Sequence, residues 1–260
     1  ITDFEPFVLY WAKVFRIPCI SIDNQHSITN TAIDAIPGQW LNELYSKLVI
    51  WSFLPKPEYT IITTFFETPI TTKKTVLVPP IIKSEILGIN TIKQTNKSRE
   101  EQSPIFVYQT SQSYKKMFSV LKKISKQFII YGFDKEEQDG NLLFRKFANS
   151  HYAKDLAAAD AVIINGGFTT LTEALYLQKP IFSIPIRKQF EQIVNGYYLQ
   201  KLGYGVAVKR ITEQNIQEFL EKKEEYRNNV KKIKWDKNKK FFETLNKIIE
   251  GTTKNINKQR

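Results

Sequence analysis

One cysteine, Cys19, stands among 260 residues. The chain therefore has neither an intramolecular disulfide framework nor a cysteine-based zinc site. Long apolar runs are also missing. Stretches such as Ile181–Ile186 fall far short of the ~20 residues a membrane span needs. The opening lacks a basic segment followed by an apolar one, so it does not read as a signal peptide. Together these absences point to a reducing, cytoplasmic setting. Ile1–Asp3 reads like the middle of a strand, which implies that natural sequence precedes Ile1.

What is present is enough for packed cores. The chain is 42% hydrophobic and 13% aromatic, which excludes wholesale disorder. Its length allows one large domain or two modest ones. The 38 Lys and Arg against 26 Asp and Glu give a charge of +12. Residues 221–260 hold 13 basic and 6 acidic residues, a net of +7, which leaves +5 for the rest. A basic tail suits nucleic acid or anionic lipid. It equally suits a solvated helix that packs an apolar stripe while its lysines reach outward. Trp235, Phe241, Phe242, Leu245, Ile248 and Ile249 read as one such stripe. No nucleic-acid partner is expected, and the basic tail suits a peripheral contact with the inner face of a membrane.

Residues 1–84 mix helix and strand. Residues 85–103 are polar and aperiodic, and read as a linker. From Ser103 onward, short apolar strands alternate with amphipathic helices up to about residue 225, and a basic helix and tail follow over 226–260. Such alternation predicts an α/β domain with a parallel sheet covered on both faces. Ligands of these sheets bind outside the carboxyl ends of the strands.

The strongest constellation is Ala161-Val-Ile-Ile-Asn165-Gly166-Gly167-Phe168-Thr169-Thr170-Leu-Thr-Glu173. A buried strand enters two glycines, then hydroxyl residues, then a helix. The glycines let a ligand approach the backbone, and the helix start offers free N–H groups to an anion. The plainer reading is a turn with Thr170 as helix cap and Glu173 closing a capping box. The loop is neither a Gly-Lys-Ser/Thr phosphate loop nor GxGxxG. About 20 residues on, a second strand leads to Phe190-Glu191-Gln192-Ile-Val-Asn195. Helical spacing puts Glu191, Gln192 and Asn195 near one face. A carboxylate and two amides suit a ligand with many hydroxyls, or form an ordinary exposed helix start. Side by side, the two loops suggest a nucleotide-sugar site.

These residues, with Lys179-Pro180, Ile184-Pro185 and Leu202-Gly203, resemble the donor half of GT-B glycosyltransferases. The likeness is to the group holding the UDP-glycosyltransferases and the peptidoglycan lipid-intermediate N-acetylglucosaminyltransferase. Thr2-Asp3-Phe4-Glu5-Pro6 and Ser21-Ile22-Asp23-Asn24-Gln25-His26 resemble a bacterial and archaeal branch of it. The resemblance covers residues 1–205. It implies two Rossmann-like domains, the first incomplete here, with the donor held by the second. Asn165–Thr170 would bind a UDP diphosphate, Glu173 the ribose diol, and Glu191, Gln192 and Asn195 the sugar. Phe147 would lie near the base. The resemblance favours inversion at the anomeric carbon but names no acceptor. Basic and aromatic residues able to meet an anionic membrane suit a lipid-linked one, and a glycan is the other option.

Glycosyl transfer needs a base for the acceptor hydroxyl and positive charge or dipoles on the departing diphosphate. His26, at the end of a loop after a buried strand, is a candidate base. Asp3 and Glu5 are others, unless Asp3 merely caps the helix that follows. His151 begins a helix and reads as structural. No Asp-x-Asp occurs, so no metal and no cofactor beyond the co-substrate is expected. The sequence alternatives are a UDP-sugar 2-epimerase of the same fold and a non-catalytic nucleotide-binding fragment. The epimerase would need acidic and arginine residues where Phe190-Glu191-Gln192 stands.

Overall fold

The computed structural model describes residues 1–53, 55–89, 103–109, 116–147 and 151–259. Residues 90–102 of the expected linker lie outside the described residues. The chain forms two compact units: Ile1–Ile81 together with Trp235–Arg260, and Ile82–Lys234.

In the first unit, α1 (Pro6–Val14) opens with proline at its first turn, where a missing N–H costs nothing. Its cap is Glu5, whose carboxylate accepts from Val8 N at 2.9 Å. Capping thus falls to Glu5 and not to Asp3. After α1 come β1 (Ile20–Asp23), α2 (Ser27–Asn30), α3 (Trp40–Phe53), β2 (Tyr59–Thr63) and β3 (Thr75–Val78). The strands are rich in Ile, Val and Thr, which suit a pleated surface. They form a parallel sheet in the order β1-β2-β3. Ile1–Asp3, expected as strand, contributes a single bridge between Thr2 and Ser21.

The second unit holds α4 (Ser84–Leu87), β4 (Ile105–Tyr108), α5 (Lys116–Leu121), β5 (Phe128–Tyr131), β6 (Glu137–Asp139) and β7 (Leu142–Phe144). It continues with α6 (Tyr152–Ala158), β8 (Ala161–Ile164), α7 (Phe168–Tyr176), β9 (Ile181–Ser183), α8 (Phe190–Lys201), β10 (Gly205–Ala207), α9 (Glu213–Glu221) and α10 (Lys223–Val230). The sheet order is β10-β9-β8-β4-β5-β7-β6, parallel except for β6. Ile105, Val107, Phe128, Ile130, Ile163 and Phe182 are buried against Met117, Leu121 and Phe219. Each such burial contributes roughly 1.5–3 kcal/mol. From β4 the chain first builds outward through β5 and β7, then returns to lay β8, β9 and β10 on the other side. The direction reverses between β4 and β8, which is where an open parallel sheet leaves a crevice at its carboxyl edge.

The chain then re-enters the first unit as α11 (Lys239–Gln259), where Phe241, Leu245 and Ile248 pack on Ile20, Ile61 and Val78. The expected stripe is narrower than the sequence suggests. Phe242 and Ile249 are 54% and 39% exposed.

Candidate functional site

The β8–α7 loop lies at the carboxyl end of β8, beside the reversal point. Gly166 has φ +89°, and a Cβ there would stand 3.0 Å from both the Gln192 carbonyl oxygen and Ser183 Oγ. Gly167 differs. Its φ is −61°, and nothing lies within 4 Å of where a Cβ would be. It caps α7 without any side-chain bond. The first bond of the helix runs from Leu171 N to Gly167 O at 3.2 Å, so the N–H groups before it have no partner within the helix. Phe168, Thr169 and Thr170 form that first turn, with Thr169 exposed and Thr170 buried. Asn165 Nδ2 donates to Ile184 O at 3.3 Å and ties the loop to the next strand.

Because the helix starts at Phe168, Thr170 is its third residue and not its cap. The capping box read from the sequence does not form, and Glu173 sits in the second turn. It is 1% exposed. Its Oε2 accepts from Tyr152 Oη at 3.2 Å, and the same phenol lies 3.1 Å from Thr170 Oγ1. Burial first, and Glu173 next, push the Tyr152 phenol pKa well up, so it stays protonated and donates. Glu173 Oε1 accepts no hydrogen bond, while Lys83 Nζ lies 3.1 Å away as an ion pair. Phe147, 52% exposed, leans on this group, with ring centres 5.0 Å from Tyr152 and 5.5 Å from Tyr108. Tyr131 and Arg145 both donate to Asp155 Oδ2 at 2.6 Å, which fixes α6 beneath the rings.

The second loop is drawn inward. Gln192 Oε1 accepts from Ile186 N at 3.0 Å, and its Nε2 donates to Gln189. Asn195 is 0% exposed and donates to Gly166 O at 3.0 Å. Both amides therefore shape the two loops. Glu191 is half-buried at the start of α8. Ser183 Oγ and Asn195 Oδ1 are buried beside Gly166 without hydrogen-bond partners.

In the first unit, His26 is buried with Nδ1 2.7 Å from Asp23 Oδ2. Asp23 also receives His26 N at 2.8 Å and Ser21 Oγ at 2.6 Å. A carboxylate on Nδ1 leaves Nε2 with the lone pair, the arrangement a general base requires. Asp3 is exposed, and its carboxyl pKa is raised by partial burial and then by Asp23. Glu5 is occupied by its helix. His151 precedes α6 and caps nothing with its ring.

Sequence reasoning missed Asp23 as the partner of His26, and Tyr152 and Lys83 as partners of Glu173. Asp23 and His26 are three residues apart, a readable signal. Tyr152 and Lys83 are 21 and 90 residues from Glu173 in the chain, so only the fold brings them together.

A family model described as Glycosyl transferase family 1 matches residues 1–223. No curated protein matches the sequence. Among solved structures, a UDP-glucose:anthocyanidin 3-O-glucosyltransferase in complex with UDP is similar at TM-score 0.57 and 12% identity. The match covers 88% of this chain and 68% of that one. The calicheamicin glycosyltransferase CalG4 is similar at 0.51 and 14%, over 88% and 68%. SsfS6 from Streptomyces sp. SF2575, complexed with thymidine diphosphate, is similar at 0.51 and 18%, over 87% and 60%. The chain thus spans about 60–68% of these relatives, and the fold they share with it is GT-B.

Proposed function

The chain belongs to glycosyl transferase family 1, and on that premise we propose that it is a glycosyltransferase using a UDP-sugar donor. Gly166–Thr170 and the α7 terminus receive the diphosphate, and Glu173 receives the ribose hydroxyls. Phe147 offers its exposed ring to the base. Glu191 reads the sugar, while Gln192 and Asn195 hold the loops that present it. The bond from the anomeric carbon to the diphosphate oxygen breaks as the acceptor oxygen bonds to that carbon. The acceptor proton passes to His26 Nε2, and the helix terminus in place of a metal steadies the departing anion. A lipid-linked or glycan acceptor is in keeping with the exposed Phe7, Trp11, Trp40 and Trp51 of α1 and α3. Among the described residues no helix is long and apolar enough to cross a membrane.

The observation that carries this reading is Glu173, a buried carboxylate with one oxygen free of hydrogen bonds, one and a half turns behind an uncapped helix start. Hydrogen bonds to charged groups are worth about 1.5–3 kcal/mol. Glu173→Gln should therefore weaken UDP binding about 10- to 100-fold by calorimetry. A wild-type protein that ignores UDP, or a variant that binds it unchanged, would sink the proposal.

A further inference from the structure

Lys83 stands out as an exposed cation paired with a fully buried acid. Its side chain is 55% exposed, while that of Glu173 is 1% exposed. A buried carboxylate needs a counter-charge or hydrogen bonds, and with Oε1 taking no hydrogen bond, Lys83 supplies the charge. The backbone of Lys83, the residue before α4, is held by Ile86 N and Leu87 N, which donate to its carbonyl, while its side chain makes no cap bond to that helix. Its four-carbon stem leaves the ammonium mobile. Glu173 lies six residues beyond Gly167, so the start of α7 is about 9 Å away at 1.5 Å per residue. A flexible four-carbon stem can cover a distance of that order.

We propose that Lys83 exchanges partners when donor binds. In the empty site it neutralises Glu173. When the ribose diol takes Glu173 Oε1, the ammonium is released to the diphosphate. This rests on the donor reading above and adds a residue that reads the nucleotide's charge. A nucleoside must displace the lysine without offering it a new partner, whereas a nucleoside diphosphate offers one.

Calorimetry with UDP and with uridine on wild type, Lys83→Met and Lys83→Arg tests this. Lys83→Met should weaken UDP about tenfold or more while uridine binds as well as before or tighter. Lys83→Arg should keep most of the preference for UDP. Equal weakening of both ligands in Lys83→Met would make Lys83 a structural counter-ion only, and no change in either would remove it from the site. Either result overturns the proposal. Lys83→Gln gives the same reading if the methionine variant melts early. Failure of wild type to bind UDP is a different outcome, since it defeats the donor reading itself.

Discussion

Gly166 and Gly167 are neighbours that lack a side chain for different reasons. At Gly166 the backbone is left-handed and two atoms crowd the Cβ position. Left-handed backbone costs an ordinary residue about 1–2 kcal/mol, so Gly166→Ala should lower the melting temperature. At Gly167 the backbone is ordinary and the space is open. Gly167→Ala should leave the melting temperature within a degree or two, yet weaken UDP binding, because on the donor reading proposed above the methyl group stands in the path of the diphosphate. Equal effects of the two substitutions on both readouts would refute the distinction. At this scale the site was partly legible. Strand, glycines and helix could be read directly from Ala161–Glu173. The choice between helix cap and ligand contact for Glu173 could not, because it turns on where the helix begins. That is set by the backbone angles of Gly167, three residues before the apparent cap. Likewise, spacing grouped Glu191 with Asn195, but not which way α8 is rotated. Asn195 turns inward to Gly166.

The elements of the second unit are tied by one buried acid. Asp160, just before β8, receives Arg227 NH2 at 2.6 Å on its carboxylate and at 3.0 Å on its carbonyl, and pairs with Lys223. This clamps α10 to the strand that leads into the glycine loop. Removing one partner of a buried pair costs about 3–5 kcal/mol, because the other charge remains buried. Asp160→Ala should show a loss of that size in urea unfolding, and a loss below 1 kcal/mol would contradict the clamp. Most strands of this unit announce themselves as short apolar runs, such as Phe128–Tyr131. The strand β6 does not, since Glu137–Asp139 is exposed throughout and joins the sheet edge by antiparallel pairing with β7. The amphipathic pattern of residues 213–225 reads as a single helix. The structure instead breaks it at Lys222, whose φ of −91° and ψ of 0° end α9 and start α10.

At the scale of the whole molecule, the first unit is discontinuous. Its sheet comes from residues before 82 and part of its core from α11. The apolar stripe of α11 was visible in the sequence, but nothing local names the core it joins, because the partners lie more than 150 residues away. Burying a phenylalanine in a core is worth about 3–5 kcal/mol on truncation to alanine. Phe241→Ala should therefore speed proteolysis within residues 1–81 while leaving 82–234 resistant. Uniform sensitivity across the chain would argue against two separately cored units.

That return path also orders the birth of the molecule. Domains ordinarily fold in the sequence in which they leave the ribosome. Here the unit that is begun first is finished last, because Ile20, Ile61 and Val78 await a helix translated after the entire second unit. At roughly 5–20 residues per second, β1, β2 and β3 wait about ten seconds to half a minute for this cover. For that interval the apolar side chains of Ile20, Ile61 and Val78 lack the helix that covers them in the finished fold.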